Sequence, residues 1–204
     1  YSKAVEFYKK SLEFISDSAY ARIIKNNIAN AYRKEGNFDE AIETYKSALE
    51  DEKDPLNYSR VLSNLAYTRW LKDKGHDAST ELRRALNIRI KEKDLWGQNS
   101  SYAQLADYYT KKLPDSALFF SRKMLEVANS LKSADDQVEA LQKLIPLSGN
   151  EDSKRYFKTH QELTDSLQTL RNNAKNQFVL IRFETEKHKA ENLKLQQENT
   201  IRSF

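Results

Sequence analysis

The chain has 204 residues, 39% of them hydrophobic and 31% charged, with 4 glycines, 3 prolines and no cysteine, where average usage would give about 14 glycines and about 10 prolines. Turns rich in Gly and Pro are too few for an all-β fold, 11% aromatics exclude a disordered chain, and the lack of cysteine excludes disulfide scaffolds and thiolate zinc sites. The net charge of +4 comes from 34 basic and 30 acidic residues thoroughly mixed along the chain, which argues against a nucleic-acid partner, and no uncharged apolar run approaches the roughly 20 residues that span a bilayer.

What remains is an amphipathic all-α chain whose few breakers act as punctuation. Gly36, Pro55, Gly75, Gly97, Pro114 and Pro146 follow one another at 19, 20, 22, 17 and 32 residues, which leaves room for helices of about four to five turns between breaks. Antiparallel helix hairpins are the natural reading. Asp54-Pro55 sets a capping side chain before a proline suited to a first helical turn, and Asp115, Ser133 and Asn150 are candidate caps for later helices.

The positions between breaks repeat. Ala4, Ala41 and Ala78 are spaced by 37 and 37, with Ala117 39 further on; Tyr8, Tyr45 and Leu82 keep the step, as do Ser11, Ala48 and Ala85. An independent set, Ile28-Ala29, Leu65-Ala66 and Leu105-Ala106, recurs at 37 and then 40. Small residues at this period place short side chains where helices cross, with Tyr32, Tyr45 and Leu82 filling the flanking space.

Residues 134–148 read as the first helix of a further hairpin, and a new helix starts near Glu151. It meets no Gly or Pro as far as Phe204. Leu163, Leu167, Leu170, Ala174, Phe178 and Ile181 form an apolar seam at spacings of 3 and 4, continued by Thr185, His188, Asn192, Leu195 and Asn199. The reading divides the chain into helical repeats over 1–150 and a last repeat helix that continues as a long terminal helix over 151–204. That helix is either a coiled-coil strand, with its polar seam residues setting register, or a solvated single helix.

Ile28-Ala29, Tyr32, Gly36, Phe38, Ala41, Tyr45, Ala48 and Pro55 resemble the tetratricopeptide repeat, or TPR, whose first helix carries a Leu-Gly and Tyr pattern and whose second carries Ala, Phe and Ala. The resemblance implies a TPR-like antiparallel helix-hairpin solenoid. The third repeat departs from the pattern at Arg69 and Gly75, and the fourth at Ser121 and Met124. Tyr1 aligns with Phe38, so the chain is expected to open on the second helix of a repeat, with further repeats upstream.

Catalytic and metal-binding constellations are absent from the pattern. His76, His160 and His188 stand far apart and are expected to be solvated; there is no Cys nucleophile, GxSxG elbow or phosphate-cradling glycine loop. No cofactor is expected. The tail cations Arg171, Lys175, Arg182, Lys187, Lys189, Lys194 and Arg202 are interleaved with Glu184, Glu186, Glu191 and Glu198, as on a solvated face.

The surface with binding potential is the inner wall formed by the first helix of each repeat. Aligned there are Asn26, Asn30 and Arg33; then Arg60, Ser63, Asn64, Tyr67 and Trp70; then Ser100, Gln104, Asp107 and Thr110. Amides bond an extended backbone, and Arg, Tyr and Trp supply contact area. A protein or peptide ligand is the expected partner. Tyr67 and Trp70 have a second reading, packing between adjacent repeats. The carboxylate clamp of chaperone-binding TPR proteins is not reproduced, because Asn26 stands at its first lysine position and Ser100 and Gln104 replace its later basic pair.

A narrower resemblance lies in Ser63-Asn64-Leu65-Ala66-Tyr67, Trp70, Ala85-Leu86-Asn87-Ile88-Arg89, residues 171–178 and residues 182–187. These resemble the sensor region of Bacteroidetes TPR-containing histidine kinases and helix-turn-helix regulators. The resemblance implies a non-enzymatic sensor on the periplasmic side of an inner-membrane protein. Membrane attachment would then come only beyond residue 204, and a homodimer would form through the terminal helix. The alternative is a soluble cytoplasmic TPR adaptor that scaffolds a protein complex.

Overall fold

The structure is a computed structural model that describes the backbone of residues 2–202 and the side chains of residues 3–189 and 192. Regular structure among the described residues is entirely helical: α1 (Ser2–Glu13), α2 (Ser18–Glu35), α3 (Phe38–Leu49), α4 (Pro55–Lys72), α5 (Ser79–Lys91), α6 (Leu95–Tyr109), α7 (Pro114–Leu131), α8 (Ala134–Leu144), a 3-10 turn at Ile145–Leu147, and α9 (Asn150–Arg202). The chain divides into two units, Tyr1–Lys158 and Thr159–Phe204. The expectations placed on Tyr1, Leu195, Asn199 and Phe204, and on the tail charges at Glu191, Lys194, Glu198 and Arg202, fall outside the described residues or side chains.

Local chemistry accounts for most boundaries. Asp17 accepts a hydrogen bond from the Ala19 N–H (2.7 Å), Asp54 from the Asn57 N–H (2.7 Å) and Asp94 from the Gly97 N–H (2.9 Å), each satisfying an orphan donor of a first turn. Ser133 caps α8 by accepting from the Asp136 N–H at 3.4 Å. Two expected caps are corrected. Asp115 lies inside the first turn of α7, after Pro114, and Asn150 is already helical, so each acts on the helix through its position in the first turn. The first helix of the last hairpin also ends earlier than residue 148: Pro146 offers no N–H to continue the ladder, and α8 gives way to the 3-10 turn.

Helix ends explain the shortage of glycine. Gly36 ends α2 with φ +83°, and its N–H reaches the carbonyls of Arg33 and Tyr32. Asp51, Lys93 and Lys132 adopt the same left-handed region after α3, α5 and α7, with φ of 55°, 56° and 53°. An L side chain there costs about 1–2 kcal/mol. Gly97, by contrast, stands inside the first turn of α6, not at a break. A Cβ on it would lie 2.0 Å from Asp94 Oδ2 and 2.8 Å from the Arg89 side chain. The missing side chain lets buried Arg89 pass, donating from Nη1 to the Gly97 carbonyl (3.0 Å) and Ser101 Oγ (2.6 Å). Burial pulls the Arg89 pKa down to about 10, which leaves it charged at neutral pH.

Consecutive helices of the first unit pack as antiparallel pairs from α1 to α8. In addition α2 touches α4, α4 touches α6 and α6 touches α8, whereas among the described residues no such contact joins any two of α1, α3, α5 and α7. The even helices therefore share one wall, as a solenoid requires. The repeated small residues fill the crossings: Ala29, Ala41, Ala48, Ala78, Ala85 and Ala117 are fully buried, with Tyr45, Leu82 and Leu105 packed beside them at 0%, 1% and 0% exposure. The fold is a TPR-like helical solenoid followed, in the second unit, by helix alone.

Candidate functional site

The expected binding residues lie on α2, α4 and α6, where their side chains form two connected groups. The first is a ladder of amides one period apart. Gln104 Nε2 donates to Asn64 Oδ1 (3.2 Å), and Asn64 Nδ2 donates to Asn26 Oδ1 (3.1 Å), so a single chain of hydrogen bonds crosses three successive repeats. Asn26 is 3% exposed, so it faces the ladder and not outward as the alignment placed it. Ser63 is likewise buried, with its hydroxyl donated to the Arg60 carbonyl (3.2 Å), while Arg60, Ser100 and Thr110 are exposed. The inward turn has a physical cause: an amide left half-exposed between packed helices finds a neighbouring amide instead of water.

The second group is aromatic and charged. Asn30 Oδ1 accepts from the Tyr45 hydroxyl (2.7 Å) and Arg33 Nη2 (3.2 Å). The Arg33 guanidinium stands 5.6 Å from the Tyr67 ring centre. The Tyr67 hydroxyl donates to Asp107 Oδ2 (2.9 Å), and Lys143 of α8 binds Asp107 Oδ1 (2.6 Å). Burial first, then the Asp107 carboxylate, raises the Tyr67 pKa well above the usual phenol range, so its proton stays in place as a donor.

Trp70 lies between Tyr67 (ring centres 5.4 Å apart) and Tyr108 (5.7 Å), with the Lys74 ammonium 3.5 Å above its ring. Tyr67 and Trp70 thus pack between α4 and α6, and both also line an open cleft of about 490 Å³ together with Leu71, Lys74, Asp107, Tyr108 and the Thr110–Lys112 turn. The Tyr108 hydroxyl donates to Asp77 Oδ1 (2.8 Å), and Lys112 sits 4.4 Å above the Tyr108 ring. Hydrogen bonds from Ser79 and Tyr108 hold the Asp77 carboxyl down at about 2.

Sequence reading placed Asn30, Arg33, Asn64, Tyr67, Trp70, Gln104 and Asp107 on the wall where they stand, but it missed Lys74, Tyr108, Lys111, Lys112 and Lys143. A signal for three of these was present. Trp70 and Tyr108 are each followed four residues later by lysine, Lys74 and Lys112, and the two pairs are 38 residues apart. An aromatic and a cation at i and i+4 share a face while the helix continues; here Lys74 and Lys112 stand just past the ends of α4 and α6, with their ammoniums over the rings.

Two of the three histidines differ from expectation. His76 and His160 are half-buried, each with Nε2 shielded and without a hydrogen-bond partner, while His188 is exposed. Among the described residues no group of His, Cys, Asp and Glu is arranged to hold a metal, and no helix is long and apolar enough to cross a membrane.

Known proteins show the same architecture. The tetratricopeptide repeat family model matches residues 20–91, which run from α2 through α5. No curated protein matches the chain. Among solved structures it is similar to BtubC (BKLC) from P. vanneervenii, at 19% identity over 84% of this chain and 73% of that one, with a TM-score of 0.59, a likeness of fold. Residues 20–91 therefore match tetratricopeptide repeats, and the chain has the fold of a TPR-like antiparallel helix-hairpin solenoid.

Proposed function

We propose that the chain is a non-enzymatic protein-binding scaffold, the sensor and interaction region of a bacterial signal-transduction protein whose output is a histidine kinase or a transcriptional regulator. The observation that carries the binding role is the shared wall of α2, α4 and α6, on which Arg33, Asn64, Tyr67, Trp70 and Asp107 stand together. TPR repeats commonly serve protein interaction, and repeat walls of this kind hold peptides or partner helices. The signalling context and a periplasmic location rest on the resemblance of residues 171–178 and 182–187 to sensor regions, and the cytoplasmic adaptor is the competing assignment.

In this reading the terminal helix passes the binding signal to a second copy. Its apolar seam is exposed, with Leu170 at 62%, Phe178 at 68% and Ile181 at 61%. With Phe178 and Ile181 at the core positions, Glu184 and Lys189 flank the seam five residues apart on opposite sides. A parallel, in-register partner sets Glu184 of one copy against Lys189 of the other, and an antiparallel partner sets like charges together.

Two measurements test the proposal. Proteins captured by the wild-type chain should be lost by the Arg33→Ala, Asn64→Ala, Trp70→Ala triple variant, and equal recovery would refute the concave-wall assignment. Sedimentation should give a dimer that disappears on removing residues 172–204; a monomer in both cases removes the transmission step and favours the adaptor.

A further inference from the structure

The cleft at the last turns of α4 and α6 has a charge pattern that sets it apart from the rest of the wall. Lys74, Lys111 and Lys112 stand around it, and none of the three makes an ion pair with a carboxylate among the described residues, unlike Lys10, Lys46, Lys72, Lys123 and Lys143. Lys74 and Lys112 instead lie over the Trp70 and Tyr108 rings. The nearby carboxylates are engaged: Asp107 holds Lys143 and the Tyr67 hydroxyl, Asp77 accepts from the Tyr108 hydroxyl and Ser79 N–H, and Asp73 accepts from the Gly75 N–H. The result is an aromatic floor, Trp70 and Tyr108 beside Leu71, under three ammonium groups. Burial lowers the Lys74 pKa; the Asp107 carboxylate acts against it, and the neighbouring Lys111 lowers it a little further. A volume of about 490 Å³ falls within the range of about 300–1,000 Å³ in which clefts take small ligands or a few side chains.

We infer that this cleft docks an acidic peptide segment: its carboxylates engage Lys74, Lys111 and Lys112 while an adjoining apolar or aromatic side chain enters against Trp70 and Leu71. The inference rests on the concave-wall reading above and gives that wall its ligand chemistry. Charge complementarity selects the occupant, since an acidic peptide supplies the direct carboxylate partners that Lys74, Lys111 and Lys112 lack within ion-pair distance, and a basic one would add to the positive charge.

A displayed library of random peptides, selected on the full chain, tests the inference even while the natural partner is unidentified. Expected is enrichment of Asp and Glu next to Phe, Leu or Trp. Binding of the enriched peptide, made with blocked termini, should weaken at least about tenfold in the Lys74→Gln, Lys111→Gln, Lys112→Gln variant. These lysines are exposed, so the variant should keep the parent's circular dichroism and melting point. Binding should also weaken with added salt, and the peptide's Gln and Asn counterpart should fail. Enrichment of neutral or basic peptides, no enrichment, capture of single-stranded nucleic acid in place of peptide, or undiminished binding by the lysine variant would each overturn it. If the selected peptides lack acid and are lost instead by Arg33→Ala, the cleft assignment fails while the wall reading stands; if no peptide responds to either variant, both fail.

Discussion

The repeats of residues 1–158 and the helix beyond them are built from similar amino acids put to opposite uses. The repeats have a buried apolar core, although Phe7, Phe14, Trp96 and Phe119 stay exposed at their surface: Leu82, Leu105, Leu141 and Leu144 are at most 1% exposed, and the crossings are lined with alanines of 0% exposure. Beyond residue 158, Val179, Leu180 and Phe183 are 57%, 57% and 66% exposed, and among the described seam residues only Leu163 and Leu167 are half-buried. Repeats draw stability from their nearest neighbours, whereas an exposed helix of this length has only its own hydrogen bonds and i,i+4 pairs, which stabilise it weakly. Helical propensity alone therefore says little about which segments hold the protein together. Burial decides that.

The sharpest test of this contrast pairs two truncations. Leu105→Ala, at the α6 core, should destabilise the repeats by about 2–5 kcal/mol, lowering the melting temperature by about 2–4 °C for each kcal/mol. Leu180→Ala should change the same melt by less than about 0.5 kcal/mol. If the two melts shift equally, the division between buried repeats and exposed helix is wrong. Enlargement gives a smaller version of the same comparison. Ala41→Leu should overpack the crossing by about 1–3 kcal/mol, while Ala174→Leu in the exposed helix should leave the melt of the repeats where it was. A melt of the Ala41 variant identical to the parent's would remove that residue from the packed seam.

The mildest effect is read by alkaline titration. All tyrosines precede residue 159, so tyrosinate absorbance reports on the repeats alone. Burial raises the pKa of Tyr45, Tyr67 and Tyr102 above the ordinary value of 10.0. A raised phenol pKa means that the folded state keeps a proton the unfolded state gives up. The stability this contributes is fully present below pH about 10 and is lost as pH rises through the folded values. A fraction of the tyrosines should therefore ionise only together with loss of helical circular dichroism. Ionisation of all of them near pH 10, with helicity intact, would contradict the burial described.

Much of the fold was legible because packing at helix crossings demands small residues at a fixed period, and Ala4, Ala41, Ala78 and Ala117 display it without reference to anything else. The wall residues followed from the same period. What stayed hidden depended on side-chain direction. Asn26 and Ser63 occupy wall positions yet turn inward, and no spacing distinguishes an amide that faces solvent from one that meets another amide across a helix pair. The left-handed ends at Asp51, Lys93 and Lys132 were hidden for a different reason: neighbouring structure imposes a conformation that local propensity disfavours. Lys143 could not have been assigned from sequence, since its partner Asp107 lies 36 residues away on another repeat.

The amide chain from Gln104 through Asn64 to Asn26 also bears on how such a protein can lengthen or shorten. Each link joins residues one repeat apart, 40 and 38 positions along the sequence, so a whole inserted repeat with an amide at the matching place would add a rung and leave the others intact. Inserting a single residue within a helix, ahead of its amide, would turn that amide by about 100° around the helix and break the chain at that rung. The ladder thus tolerates gain or loss of complete repeats, and differences taken up in the loops, as its own spacings of 40 and 38 show, while it penalises insertions within a helix.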